Sequence, residues 1–167
     1  MKILSVNAGS SSLKFTMFEM PEEKVVINGT FEKIGLEGSF YSVKYNGEKV
    51  KKEAVLRDHT DAVKILLDEL INYKVIESYD EISGVGHRIL HCGEKFSDSV
   101  VMDDYAIDVV DSVSDLGPLH NPANILGIEA AQKVLPDVPH CAVMDTAWHQ
   151  TMPETSFRYA VPKEWYE

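Results

Sequence analysis

Eight residues near the amino terminus, Asn7-Ala8-Gly9-Ser10-Ser11-Ser12-Leu13-Lys14, gather groups that bind phosphate oxygens: a carboxamide, three hydroxyls, main-chain amides around a glycine, and an ammonium. Gly9 permits a tight turn, where amides and hydroxyls can converge on an anion together with Lys14. The run is not a Walker A loop, because it lacks the second glycine before Lys-Ser/Thr, and it is not Gly-x-Gly-x-x-Gly. Strand alternation resuming near Ser10 puts Ser10, Ser12 and Lys14 on one face and Ser11, Leu13 and Phe15 on the other, toward the core. A serine-rich surface turn has the same composition and stands as the alternative.

A second cation lies in the apolar stretch Gly84-Val85-Gly86-His87-Arg88-Ile89-Leu90-His91. Alternation places Arg88 and Leu90 on the same face. A small carboxylic acid needs a planar cation to take its carboxylate bidentately and an apolar wall for its tail, and this pair supplies both. An ion pair at a strand end is the structural alternative for Arg88. His87 falls on the opposite face and reads as a hydrogen-bonded structural histidine.

His120 precedes the helix start Asn121-Pro122, so an anion there would meet the imidazole and the positive end of a helix dipole, with Leu119 extending an apolar wall. Loop closure is the plainer role for an isolated histidine. Asp145 follows Ala142-Val143-Met144, at the carboxyl end of a strand, where open α/β sheets present ligand-binding groups. Thr146, Trp148 and His149 read as a cap, a packed indole and a surface histidine.

These groups need a scaffold. Lys2 to Asn7 reads as a strand, and the alternation Leu13, Phe15, Met17 returns it as a hairpin. Val25 to Ile34 and Phe40 to Val50 are further strand candidates, with Asn46-Gly47 a short-turn signal. Ala62, Val63, Leu66, Leu67, Leu70 and Ile71 recur at helical spacing, with Asp58 or Thr60 as N-cap. Ile82 to Leu90 reads as a buried strand and Asp103 to Val113 as a helix. Asn121 is expected to cap a third helix, with Pro122 at its first position and Ile125, Ile128, Ala131 and Leu135 facing inward. Cys141 to Met144 is the last strand. The expected order is β-β-β-α-β-α-α-β, an α/β mixed sheet with flanking helices.

At 167 residues the chain suits one domain or one lobe of something larger. Sixteen Lys plus Arg against 27 Asp plus Glu give a net charge of -11, which disfavours nucleic acid and anionic membrane as partners, so any bound phosphate must be held locally. No apolar run of about 18 residues is present to span a bilayer, and the chain reads as cytoplasmic. Cys92 and Cys141 show no metal-type spacing and read as reduced thiols.

In order, Asn7 to Lys14, Gly86-His87-Arg88-Ile89-Leu90-His91, Pro118-Leu119-His120-Asn121-Pro122 and Val143-Met144-Asp145-Thr146-Ala147 resemble the N-terminal lobe of the acetate kinase family along the full chain. The resemblance implies an actin-like or sugar-kinase-like (ribonuclease H-like) lobe. Two such lobes would enclose Mg2+, ATP and a carboxylic acid, and phosphate would pass reversibly from ATP to acetate to give acetyl phosphate and ADP.

It further implies that Asn7 serves the Mg2+ and phosphate site, that Ser10, Ser12 and Lys14 line the phosphate path, and that Arg88 binds the carboxylate. His120 would steady the transferring phosphoryl group, and Leu90 and Leu119 would form part of a methyl pocket. Asp145 matches the residue assigned acid/base work, although orienting Arg88 or a Mg-bound water is the reading favoured by an acceptor already anionic at neutral pH.

Residues 1–150 would be the phosphate- and acetate-binding lobe and 151–167 the start of a connection to a missing C-terminal lobe. The full-length enzyme would be a homodimer, and this chain alone nearly inactive. A propionate kinase and a non-catalytic phosphate-binding module are the rival readings. Leu90 stands where valine is common in the family, and Cys92-Gly93 where a glycine pair is usual. The whole expectation requires the serine turn, Arg88 and His120 to open into one shared cavity.

Overall fold

A computed structural model describes residues 1–166. β1 (Lys2–Ala8) buries Leu4, Val6 and Ala8 and exposes Ser5 and Asn7, the alternation of a strand with one covered face. It pairs antiparallel with β2 (Ser12–Glu19), in a register that sets Asn7 opposite Lys14. β3 (Lys24–Glu32), β4 (Phe40–Tyr45) and β5 (Glu48–Glu53) continue the antiparallel meander. Asn46 and Gly47, with φ of 51° and 85°, make the two-residue turn between β4 and β5.

α1 (His59–Asn72) starts at Asp58, whose carboxylate accepts from the Asp61 amide at 2.9 Å. It leads to β6 (Ile82–Ile89), parallel to β1. The short β7 (Val100–Val101), α2 (Asp104–Asp111) and α3 (Asn121–Val134) follow, then β8 (His140–Met144), parallel to β6, and α4 (Glu154–Phe157). Across the eight-stranded mixed sheet the order is β5-β4-β3-β2-β1-β6-β8-β7.

The crossovers from β1 to β6 and from β6 to β8 step in the same direction, so their common handedness puts α1 and α3 on one face. There they pack together, with α3 against β1 and β6. The core fills that face: Leu4, Val6, Leu13 and Phe15 with the apolar side of α1, and Ile89, Ala142 and Met144 with α2 and α3. Ser5, Asn7, Lys14 and Val143 look out from the other.

Several expectations need correction. The described residues form eight strands where fewer were expected: the Phe40–Val50 candidate is broken at Asn46-Gly47 into two strands, and β7 is added. Asn121 does not cap α3. It is the first helical residue, His120 holds the cap position without a side-chain bond, and the buried Asn121 carboxamide serves the loop after β6. Trp148 is not a packed indole, since it is 82% exposed, and Thr146 is no cap, since its hydroxyl accepts from the Cys92 amide at 3.4 Å. Cys92 and Cys141 are both free thiols.

Candidate active site

β1 and β6 run in the same direction and end at the same edge, and β8 ends beside β6. Val6 pairs with His87, so the next step of that register sets Asn7 beside Arg88, and Arg88 in turn pairs with Val143. Paired residues share a face. Lys14, Asn7, Arg88 and Val143 therefore form one row across the open side of the sheet, with Asn7 between two cations. At about 4.8 Å per strand, the Lys14 and Arg88 main chains lie roughly 10 Å apart.

The turn joining β1 to β2 is closed by the Gly9 amide, which donates to the Ser12 carbonyl at 2.8 Å. Among the described residues, neither the Ser10 nor the Ser11 amide donates to another main-chain carbonyl. Lys14 is exposed and makes no ion pair among the described residues. Two main-chain amides and an ammonium at the end of a strand are suited to an anion.

Arg88 is held by Asp145. Nε donates to Oδ1 at 3.1 Å and to Oδ2 at 3.0 Å, and Nη2 donates to Oδ2 as well. Asp145 thus occupies the Nε/Nη2 side of the guanidinium, which leaves both Nη1 hydrogens and one on Nη2 as a second, end-on fork. The ion-pair alternative and the carboxylate-binding role are compatible, because the planar group has two usable edges.

His87 points to the core, as expected. Its Nε2 lies 2.9 Å from His140 Nδ1, and His140 Nε2 lies 3.0 Å from the Leu135 carbonyl. A carbonyl only accepts, so His140 carries its proton on Nε2 and takes one from His87 Nε2. Burial, then the His140 neighbour, pushes the pKa of His87 down from 6.5 to about 3, so this pair behind Arg88 is neutral at physiological pH.

His120 is exposed at the start of α3. Its loop leans on Leu90: a Cβ added at Gly117 would sit 3.0 Å from Leu90 Cδ2. Leu90 is half-buried, whereas Leu119 is 80% exposed and forms no wall with it here. The expected shared cavity is therefore an open edge. A cleft of about 260 Å³ lies between the start of α1 and α3, lined by Asp58, His59, Glu129 and Lys133.

Two buried side chains at this edge were not singled out from sequence. Asn124 donates Nδ2 to the Ala8 carbonyl at 2.6 Å and accepts from the Leu90 amide at 3.2 Å, and His59 Nε2 lies 2.8 Å from the Gly9 carbonyl. The signal for Asn124 was its place among Ile125, Ile128 and Ala131 on the apolar face of α3, where a polar group must find partners.

A parallel pair extended by a hairpin, with a serine turn at the strand ends and helices behind, defines a lobe of the sugar-kinase/actin-like fold. The acetokinase family pattern matches residues 2–167, and the chain belongs to that family. It is 54% identical over 166 residues to acetate kinase of Anoxybacillus flavithermus and 56% over 165 residues to acetate kinase of Geobacillus kaustophilus, covering 99% of this chain each time. It spans 42% of the length of each of these curated relatives, in their N-terminal part.

The structure of Porphyromonas gingivalis acetate kinase matches 98% of this chain with a TM-score of 0.93 and 47% identity, covering 42% of that protein. A propionate kinase from Francisella tularensis matches 98% of this chain with a TM-score of 0.87 and 35% identity, covering 41% of that protein.

Proposed function

We propose that this chain is the phosphate- and acceptor-binding part of an acetate kinase, which transfers phosphate reversibly between ATP and acetate to give acetyl phosphate and ADP. The row Lys14-Asn7-Arg88, with Asp145 seated on one edge of the arginine, carries this reading. Residues 1–150 form the binding lobe and 151–167 begin the connection to a second lobe, with the complete enzyme a cytoplasmic homodimer.

A small carboxylic acid has a pKa of roughly 4 to 5, so at pH 7 it is already an anionic nucleophile and needs no base. What it needs is placement, since phosphoryl transfer depends chiefly on positioning and charge neutralisation. In this reading the end-on fork of Arg88 takes the carboxylate, and Asp145 keeps that fork aimed. The turn amides with Ser10, Ser12 and Lys14 take the phosphate, and His120 steadies the group in flight. Leu90, with Leu119 once that side chain is covered, sets the room for the methyl group.

Mg2+ would serve to neutralise phosphate charge. The donor set fits a mostly hydrated ion held with substrate phosphates, which needs only one or two protein oxygens, here Asn7. A cage built wholly of protein ligands does not fit, because no cluster of three or more His, Cys, Asp or Glu able to hold a metal occurs among the described residues.

The test is acetyl phosphate formation, trapped with hydroxylamine, by a full-length enzyme carrying these residues. ATP- and acetate-dependent product that is lost in Arg88→Ala supports the reading. A folded full-length enzyme that forms none ends it.

A further inference from the structure

The trans peptide plane fixes the main chain of the anion-binding turn more tightly than its loop position suggests. His59, the first residue of α1, and Asn124, on α3, are both buried. They hold the consecutive carbonyls Gly9 and Ala8, at 2.8 and 2.6 Å. A carbonyl only accepts, so His59 Nε2 carries the proton and donates. In a trans peptide the C=O of one residue and the N–H of the next point in opposite directions. Holding the Gly9 carbonyl toward α1 therefore aims the Ser10 amide away from the core, toward the place an anion would occupy.

Asn124 adds a second constraint. The same carboxamide that donates to Ala8 accepts from the Leu90 amide at 3.2 Å, so one side chain joins the end of β1 to the end of β6. One turn further along α3, Gly127 leaves no room for any side chain, because a Cβ there would fall 2.3 Å from Ala8 Cβ. α3 thus rests directly on Ala8. Asn7, next to Ala8, and Arg88, two residues before Leu90, are those the site needs at a fixed separation.

We propose that His59 and Asn124 are positioning residues: His59 presets the Ser10 amide for phosphate, and Asn124 locks the phosphate turn in register with Arg88. The kinetic consequence rests on the acetate kinase reading above, while the structural consequence does not.

The experiment uses the full-length enzyme with three variants. His59→Leu keeps bulk without a donor, His59→Gln restores an N–H at similar reach, and Asn124→Asp keeps the acceptor for Leu90 but turns a carboxylate oxygen toward the Ala8 carbonyl. Hydrogen exchange is followed on the peptide covering residues 7–13, and kcat and KM are measured with ATP and acetate.

Expected are exchange at least about fivefold faster in His59→Leu and Asn124→Asp, and kcat lower by about 10- to 100-fold, while KM for acetate moves less than about threefold. His59→Gln should recover most of both losses. Unchanged exchange in folded His59→Leu and Asn124→Asp overturns the proposal, as does a His59→Gln variant no better than His59→Leu. If wild-type enzyme forms no acetyl phosphate, the proposed function falls, and the exchange measurement alone decides this inference.

Discussion

Asp145 grips Arg88 along the Nε/Nη2 side of the guanidinium and leaves the Nη1/Nη2 end facing outward. The two residues come from adjacent parallel strands, Arg88 from the last turn of the β6 ladder and Asp145 from the residue just after β8. A guanidinium held on one edge loses its freedom to rotate, so a carboxylate meeting the other edge finds a fork already oriented.

Asp145→Asn preserves shape but sets an amide against the donors of Arg88. In the full-length enzyme kcat/KM for acetate should fall by about 10² to 10³, with a raised KM for acetate and a pH profile of unchanged form. Steady-state kinetics from pH 6 to 9 check this. Loss of kcat alone, together with loss of one limb of the pH profile, would instead make Asp145 a proton-transfer group.

The His87–His140 pair should make stability depend on acidity. The ordinary pKa of 6.5 applies to His87 in the unfolded chain, against about 3 when folded. The unfolded state therefore binds the extra proton first, so this contribution is complete above pH 6.5 and drains away as pH falls toward 3. His140, also lowered by burial, acts with the same sign. Each pH unit in that window costs about 1.4 kcal/mol for His87. Urea melts at pH 7 and pH 5 should differ by about 2 kcal/mol from His87 alone, and equal stabilities would contradict its neutral burial.

Away from the site, Glu69 of α1 is buried and accepts from Tyr41 Oη at 3.1 Å and from Lys52 Nζ at 3.0 and 2.8 Å. Burial first, then Glu69, raises the pKa of Tyr41. This network pins the β4–β5 hairpin to α1. Glu69→Gln should lower unfolding free energy by about 1 to 3 kcal/mol, because a charge-assisted bond is weakened and a buried group loses partners. Denaturant titration measures it, and a change under about 0.5 kcal/mol would mean the hairpin is held by packing alone.

The hairpin, α1, α3 and the central strands are legible from residue pattern because each has one apolar face. β5 is not, since Glu48-Lys49-Val50-Lys51-Lys52-Glu53 carries no alternation. It is an edge strand whose charges discourage further pairing, so its signal is the Asn46-Gly47 turn and not hydrophobicity. β7 has two residues and no pattern to read. Asn121-Pro122 looks like a cap and first turn, yet the Asn121 side chain is drawn to His91 and Val110 by long-range packing that spacing does not encode.

The row Lys14-Asn7-Arg88 follows from strand register across β2, β1 and β6, which a single sequence leaves open. The end-on fork of Arg88 likewise appears only once the Asp145 partner is placed. Asn124 and His59 were the hardest to see, because their partners are main-chain carbonyls far along the chain.

A double-mutant cycle on Lys14 and Arg88 with acetyl phosphate as substrate, in the full-length enzyme, tests most directly whether they flank one reacting group. If the phosphoryl end meets Lys14 while the carboxyl end meets Arg88, Lys14→Ala and Arg88→Ala will each lower kcat/KM, and the double variant will depart from additivity by about 0.5 to 3 kcal/mol. Strictly additive losses, or a variant as active as wild type, would place the two cations in separate sites and contradict the account.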